Sequence, residues 1–270
     1  MNLGCRLGLQ NASIILYADD IVLLAPSREA LQKLLNIACI EAQNLAFVFN
    51  NGKSKYMLFR FKNCRHVSPG NIVINDVPLE LVSSFKYLGF ILNENMNNVE
   101  DICRVRNRFY SDFNCLLRKF HFADKYVKLF LFKQFCLHFY GSDMWCHNER
   151  ASTSLKQFAV GYHKAIKKML NLSYHESNHY ACQEAGLLTF QHLMNVQKFN
   201  TVTRLFLFPC TFIQKSLPYL KVSSYLLKDI RNIFLRDYNI EAIFEQDRDA
   251  VRARVSFVQN HEDQMREGIT

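Results

Sequence analysis

The chain has 270 residues, 49% hydrophobic and 21% charged, enough apolar material for a sizeable core in one or two domains. A formal net charge of +9 and a pI near 9.1 favour a polyanionic partner. Nine Cys without a C-x-x-C pair argue against a disulfide framework or zinc ribbon, Met1 to Gln10 lacks the pattern of a secretory leader, and the longest apolar runs are too interrupted to span a bilayer. The expectation is an intracellular protein, nuclear or cytoplasmic, with reduced thiols and no membrane contact.

Residues 12–25 hold two apolar, β-branched and aromatic runs separated by a short polar point, a pattern that predicts two buried strands joined as a hairpin. Ser27 is placed to cap a helix over 28–46, with Leu31, Leu34, Leu35, Ala38, Ala42 and Leu45 along one side. Asn50-Asn51-Gly52 breaks the chain before a predicted strand at Lys55–Phe61. Further strands are expected at 71–74 and 85–92. Helical periodicity then takes over near 97–119, 123–140 and 152–171. Two helices are expected across 175–208, the first ended by Gly186 and the second capped by Thr189. The tail after about 245 is charged and reads as a solvated helix or a disordered end. The fold class is therefore α+β: a short antiparallel sheet with a helix, followed by a mostly helical remainder.

At the polar point of the hairpin stand Asp19 and Asp20. Adjacent carboxylates between apolar strands raise each other's pKa, and burying either one unpaired costs several kcal/mol. A divalent cation removes both difficulties, because hard oxygen ligands suit Mg²⁺. A plain polar turn is the simpler alternative for so short a motif.

The flanking residues favour the metal reading. Tyr17-Ala18-Asp19-Asp20-Ile21-Val22-Leu23-Leu24-Ala25-Pro26-Ser27 resembles the motif C hairpin of reverse transcriptases from non-long-terminal-repeat (LINE-type) retrotransposons. The resemblance continues in order. Phe47 to Lys55 is similar to the segment after motif C, with Lys53-Ser54 at its lysine-containing turn. Phe85-Lys86-Tyr87-Leu88-Gly89-Phe90 resembles motif E, the primer grip. Leu131 to Cys136 and Tyr140 to Trp145 are similar to the helical thumb of the same elements.

The resemblance implies a partial reverse-transcriptase palm over 1–95, a helical thumb over 96–150 and a helical extension over 151–270. It implies an RNA-directed DNA polymerase that transfers nucleotides to the terminal hydroxyl of a primer. Asp19 and Asp20 would hold Mg²⁺, and Lys53 would act as general acid, with Lys55 the competing lysine. Tyr87, Leu88 and Gly89 would seat the primer, Gly89 by close backbone approach; an ordinary bend is the alternative for that glycine. RNA template, DNA primer and deoxynucleotide triphosphates would be the partners. The family's motifs A and B and its fingers have no counterpart here, and none of Met1 to Leu16 is acidic. On this reading the chain is the C-terminal piece of a longer enzyme and inactive alone. The alternative is a non-catalytic nucleic-acid-binding remnant of a truncated element.

Between Asp101 and Lys168, Lys and Arg number 13 against 5 Asp and Glu. Arg104, Arg106, Arg108, Arg118, Lys119, Lys125 and Lys128 are candidates for phosphate contacts along a template–primer duplex. The aromatics among them, Phe109, Tyr110, Phe113, Phe120 and Tyr126, are expected to face inward. His175-Glu176-Ser177-Asn178-His179 matches a zinc-protease signature, but Ser173-x-x-Glu176 reads better as a capping box. Cys136, Cys146 and His147 lack zinc spacing and read as core residues.

Overall fold

The computed structural model describes residues 3–59, 70–145 and 149–207, together with 210, 212 and 215. The fold is mixed α and β, with short, mostly antiparallel two-stranded sheets. Its described residues divide into two compact units, the first ending at Glu100 and the second beginning at Asp101.

The first unit is a run of hairpins around one helix. β1 (Arg6–Leu7) pairs with β2 (Gln10–Asn11), and β3 (Ile14–Tyr17) pairs with β4 (Asp20–Leu23). The two hairpins are stitched at their bases, where Cys5 N–H donates to Leu24 C=O at 3.1 Å and Leu24 N–H to Ser13 C=O at 2.7 Å. Helix α1 (Arg28–Asn44) follows, its N-terminus capped by the Ser27 hydroxyl, as the sequence predicted. β5 (Lys55–Tyr56) runs parallel to β8 (Glu80–Leu81), and β6 (Val73–Ile74) forms a hairpin with β7 (Val77–Pro78). β9 (Ser84–Tyr87) and β10 (Phe90–Asn93) form the last hairpin.

The core of this unit is Leu35 of α1 against Ile72 and Ile74, with Leu23, Leu31 and Tyr56 packed around them. One side chain anchors the helix to the β6 hairpin. The Gln32 amide donates to Val73 C=O and accepts from Val73 N–H, both at 2.9 Å. The register explains why those groups are free to do so. Leu79 N–H donates to Ile72 C=O, so the Val73–Pro78 pair between them is non-hydrogen-bonded and its backbone groups face outward. On the Pro78 side the lost N–H therefore costs the ladder nothing.

Three expectations about strands need correction. The β3–β4 hairpin forms, but its strands are exposed rather than buried: Ile14, Leu16, Tyr17 and Ile21 are 44 to 66% accessible. Among the described residues no third strand joins the hairpin, so apolar character did not translate into burial. The expected strand at 85–92 is two strands, because Leu88 and Gly89 both take positive φ (46° and 82°) and turn the chain back on itself. A two-residue turn with both φ positive matches the twist of the flanking strands. The strand expected at Lys55–Phe61 has two residues, Lys55 and Tyr56, before the described chain becomes irregular.

The second unit is helical: α2 (Val99–Lys119, its first two residues in the first unit), α3 (Lys125–Phe135), a 3-10 turn at Ser142–Met144, α4 (Glu149–Met169), α5 (Asn178–Glu184) and α6 (Phe190–Leu207). Its core is aromatic. The Phe109 ring lies 5.5 to 6.4 Å from those of Phe113, Phe132, Phe139, Phe158 and Tyr162, and Phe190 closes the cluster against Phe158 at 4.9 Å. Such tilted and edge-on ring pairs add to the burial of their large apolar areas.

Helix α3 ends at Phe135, well short of the expected 140. Leaving the helix there lets Phe139 and Trp145, 4% and 1% accessible, enter the aromatic core. Tertiary packing overrode helical periodicity. Gly186 ends α5 with φ 57°, and Thr189 caps α6 through a hydroxyl that accepts from His192 N–H at 3.4 Å, both as expected. The cap of α5 differs: Ser177, not Ser173, accepts from His179 and Tyr180 N–H. The tail after 245 lies outside the described residues.

Candidate functional site

Asp19 and Asp20 occupy the tip of the β3–β4 hairpin. Tyr17 pairs with Asp20, leaving Ala18 and Asp19 as a two-residue loop. Ala18 carries the positive φ (50°) that so tight a reversal demands, and it does so without the glycine usually chosen there. Side chains alternate along a strand, so Asp20 shares a face with Val22 and Tyr17, opposite Leu23 and Ile21. Leu23 packs on the core. The Asp20 carboxylate therefore stands on the face turned away from that core, and both acids are exposed. Among the described residues neither makes a side-chain hydrogen bond or ion pair.

The donor chemistry suits a hard cation. Two exposed carboxylates at a fixed turn are what Mg²⁺ takes when it keeps several waters and completes its shell with substrate phosphates. Among the described residues no group of three or more His, Cys, Asp or Glu side chains could hold a metal ion, so a third protein carboxylate is not assembled.

Lys53 lies exposed in the turn after Phe49, where its backbone N–H donates to Asn50 C=O and Oδ1, each at 3.1 Å. Lys55, its competitor, is engaged: Nζ meets Glu80 Oε2 at 2.6 Å across the parallel β5–β8 pair. Tyr87, Leu88 and Gly89 surround the β9–β10 turn. Leu88 is strained there, since the left-handed region costs a non-glycine residue about 1–2 kcal/mol. The Tyr87 hydroxyl is buried and has no hydrogen-bond partner among the described residues.

In the helical unit the basic candidates separate by what the fold already asks of them. Arg104 Nε meets Asp101 Oδ1 at 2.7 Å, and that fully buried carboxylate also accepts from Trp145 Nε1 at 2.8 Å. Arg106 donates to Gln157 at 2.6 Å, and Arg108 pairs with Asp112 one turn on. Lys128 Nζ donates to His121 C=O at 3.0 Å. Arg118, Lys119 and Lys125 are exposed around the corner between α2 and α3. Phe109 and Phe113 face inward as expected, but Tyr126 is 71% accessible and Tyr110 37%. Sequence reasoning did not single out the exposed aromatics at this corner, Phe122 and Phe130, because chain position alone does not show which rings the core leaves out.

The zinc-protease signature has no geometry behind it. Helix α5 begins at Asn178, so His175 lies before the helix and the two histidines do not share a helical face. Burial pushes the thiols of Cys136 and Cys182 up to about 12 and about 11, so neither is a thiolate nucleophile at neutral pH. Cys146 and His147 lie outside the described residues.

No family model and no solved structure matches the chain. It is similar to an uncharacterized transposon-derived protein of Caenorhabditis elegans, 27% identical over 154 residues, which is 56% of this chain and 55% of that relative's length. The likeness points to a transposon-related origin. The chain thus spans about half the length of the curated relative it matches. No described helix is long and apolar enough to cross a membrane.

Proposed function

We propose that the chain is the C-terminal palm and thumb portion of a retrotransposon reverse transcriptase, an RNA-directed DNA polymerase of the non-long-terminal-repeat type. The observation that carries this reading is the exposed Asp19-Asp20 pair at a two-residue hairpin turn. The first 95 residues would be palm, 96–150 thumb and the rest an extension. In the whole enzyme Mg²⁺ would lower the charge on the attacking and leaving oxygens. The chain's own part would be to present the Asp19 and Asp20 carboxylates from a short, paired turn. Lys53 is the lysine available for proton donation, since Lys55 is paired with Glu80. The Tyr87–Gly89 turn would seat the primer, and basic side chains of α2 and α3 would meet the phosphates of RNA template and DNA primer.

A second reading has a specific observation in its favour: no third acidic ligand is assembled among the described residues. On that reading the chain is a remnant that binds nucleic acid without chemistry. Primer extension on an RNA template with Mg²⁺ and deoxynucleotide triphosphates, by the chain joined to the fingers and motif A and B portion that the polymerase reading requires, separates the two. Extension abolished by Asp20→Asn supports the polymerase; salt-sensitive duplex binding without extension supports the remnant. Lack of both extension and binding would refute each reading.

A further inference from the structure

The corner between α2 and α3 exposes large rings where a helical core would bury them. Phe122 is 77% accessible, Tyr126 71% and Phe130 61%. Tyr126 and Phe130 are four residues apart on α3 and so share a face, on which Lys133 follows one turn later. The packed stripe of the helix runs beside that face, through Leu129 and Phe132, which are buried. The corner itself is rigid. The Asp124 carboxylate caps α3 by accepting from Tyr126 and Val127 N–H at 2.7 and 3.0 Å, and Lys128 Nζ ties back to His121 C=O. The His121 ring stands edge-on to Phe122 at 5.5 Å.

The charge beside these rings is mainly positive. Arg118 and Lys119 close α2, Lys125 opens α3 beside the exposed rings, and Lys133 follows in the last turn of α3 with its Nζ near Gly186. Lys125 Nζ sits over the Tyr126 ring at 5.2 Å. Asp124 brings one negative charge to the corner, and its carboxylate accepts from the first N–H groups of α3. Exposed rings beside cations that make no ion pair among the described residues suit a ligand with flat faces and a polyanionic backbone. Duplex shows its phosphates but hides its base faces, whereas a single strand offers both.

We propose that the α2–α3 corner is a stacking site for single-stranded nucleic acid, with Phe122 and Tyr126 as platforms and Arg118, Lys119, Lys125 and Lys133 as phosphate contacts. This rests on the nucleic-acid reading above but not on the chemistry of Asp19 and Asp20. No covalent step is involved. Four phosphate contacts to a single strand give a slope of log affinity against log salt near about −3.

The test is fluorescence anisotropy with the full chain and a labelled single-stranded oligonucleotide of about 12 residues, against a blunt duplex of equal length. The expected result is tighter binding of the single strand, with Phe122→Ala plus Tyr126→Ala weakening it about tenfold or more and barely changing duplex affinity. Both residues are exposed, and circular dichroism verifies that the double variant folds. Unchanged single-strand affinity in that variant overturns the stacking site, as does an equal loss on single strand and duplex. Binding to anionic phospholipid vesicles but to neither oligonucleotide would assign the corner to a lipid surface and overturn the proposal. Duplex binding that survives while single-strand preference is absent defeats this inference alone. Failure of primer extension with the single-strand preference intact defeats only the polymerase reading.

Discussion

Trp145 Nε1 donates a 2.8 Å hydrogen bond to Asp101 Oδ2, joining residues 44 positions apart inside the helical unit. The carboxylate is fully buried and its other oxygen takes Arg104 at 2.7 Å, so the guanidinium offsets the charge and the indole N–H satisfies a lone pair of a group that could not be buried alone. Asp101→Ala is expected to destabilise the unit by about 3 kcal/mol, because it strands Arg104 and the indole N–H. Trp145→Phe, which removes one donor and keeps an aromatic ring, is expected to cost about 1–3 kcal/mol. Urea unfolding followed by far-ultraviolet circular dichroism measures both; equal and negligible effects would mean the buried network contributes nothing.

The Gln32 side chain serves as a strand partner to Val73. Gln32→Leu preserves the side chain's bulk but leaves the Val73 N–H and C=O without their partners, and is expected to cost about 1–3 kcal/mol. Faster amide exchange at Val73 in the variant is the specific readout. Unaltered exchange would show that the anchor is dispensable.

Leu88 occupies the first loop position of a turn that favours Asn-Gly, with Gly89 already in place. Leu88→Asn is expected to raise stability by about 0.5–1 kcal/mol, since Asn tolerates the left-handed conformation. If the strain serves primer seating, the same variant loses affinity for a primer–template duplex while becoming more stable. Higher melting temperature with unchanged duplex affinity would remove the turn from the proposed grip.

His163 gives a pH dependence whose sign follows from its surroundings. Burial pushes its pKa below the ordinary 6.5, and the nearby Lys167 ammonium pushes the same way. Its Nε2 accepts from Phe190 N–H at 3.4 Å, which requires the neutral ring. The folded state therefore binds this proton less readily than the unfolded chain. The stability it preserves is fully present above pH 6.5 and is lost as pH falls through the lowered folded pKa. Unfolding free energy compared between the parent chain and His163→Gln from pH 8 to pH 5 should show a steeper acid loss in the parent. Parallel curves would place the titration elsewhere.

The sequence determined much of the local structure, because caps and turns are chosen by neighbouring residues. Ser27 and Thr189 cap their helices through their own hydroxyls, Gly186 supplies a left-handed end, and the apolar runs around Asp19-Asp20 form the hairpin that puts both acids at its tip. What the sequence could not reach depends on residues far apart. Whether Ile14 and Leu16 are covered depends on a neighbouring strand, and the described sheet supplies none. Whether α3 continues past Phe135 was decided by the aromatic core, which takes in Phe139 and Trp145. Arg104 and Lys119 look alike along the chain, yet one is committed to buried Asp101 and the other stands at an exposed corner. The exposed rings of Phe122, Tyr126 and Phe130 followed the same logic. Spacing gave them a helix and a turn, and only the docking of the neighbouring stripe, Leu129 and Phe132, into the core left them in solvent.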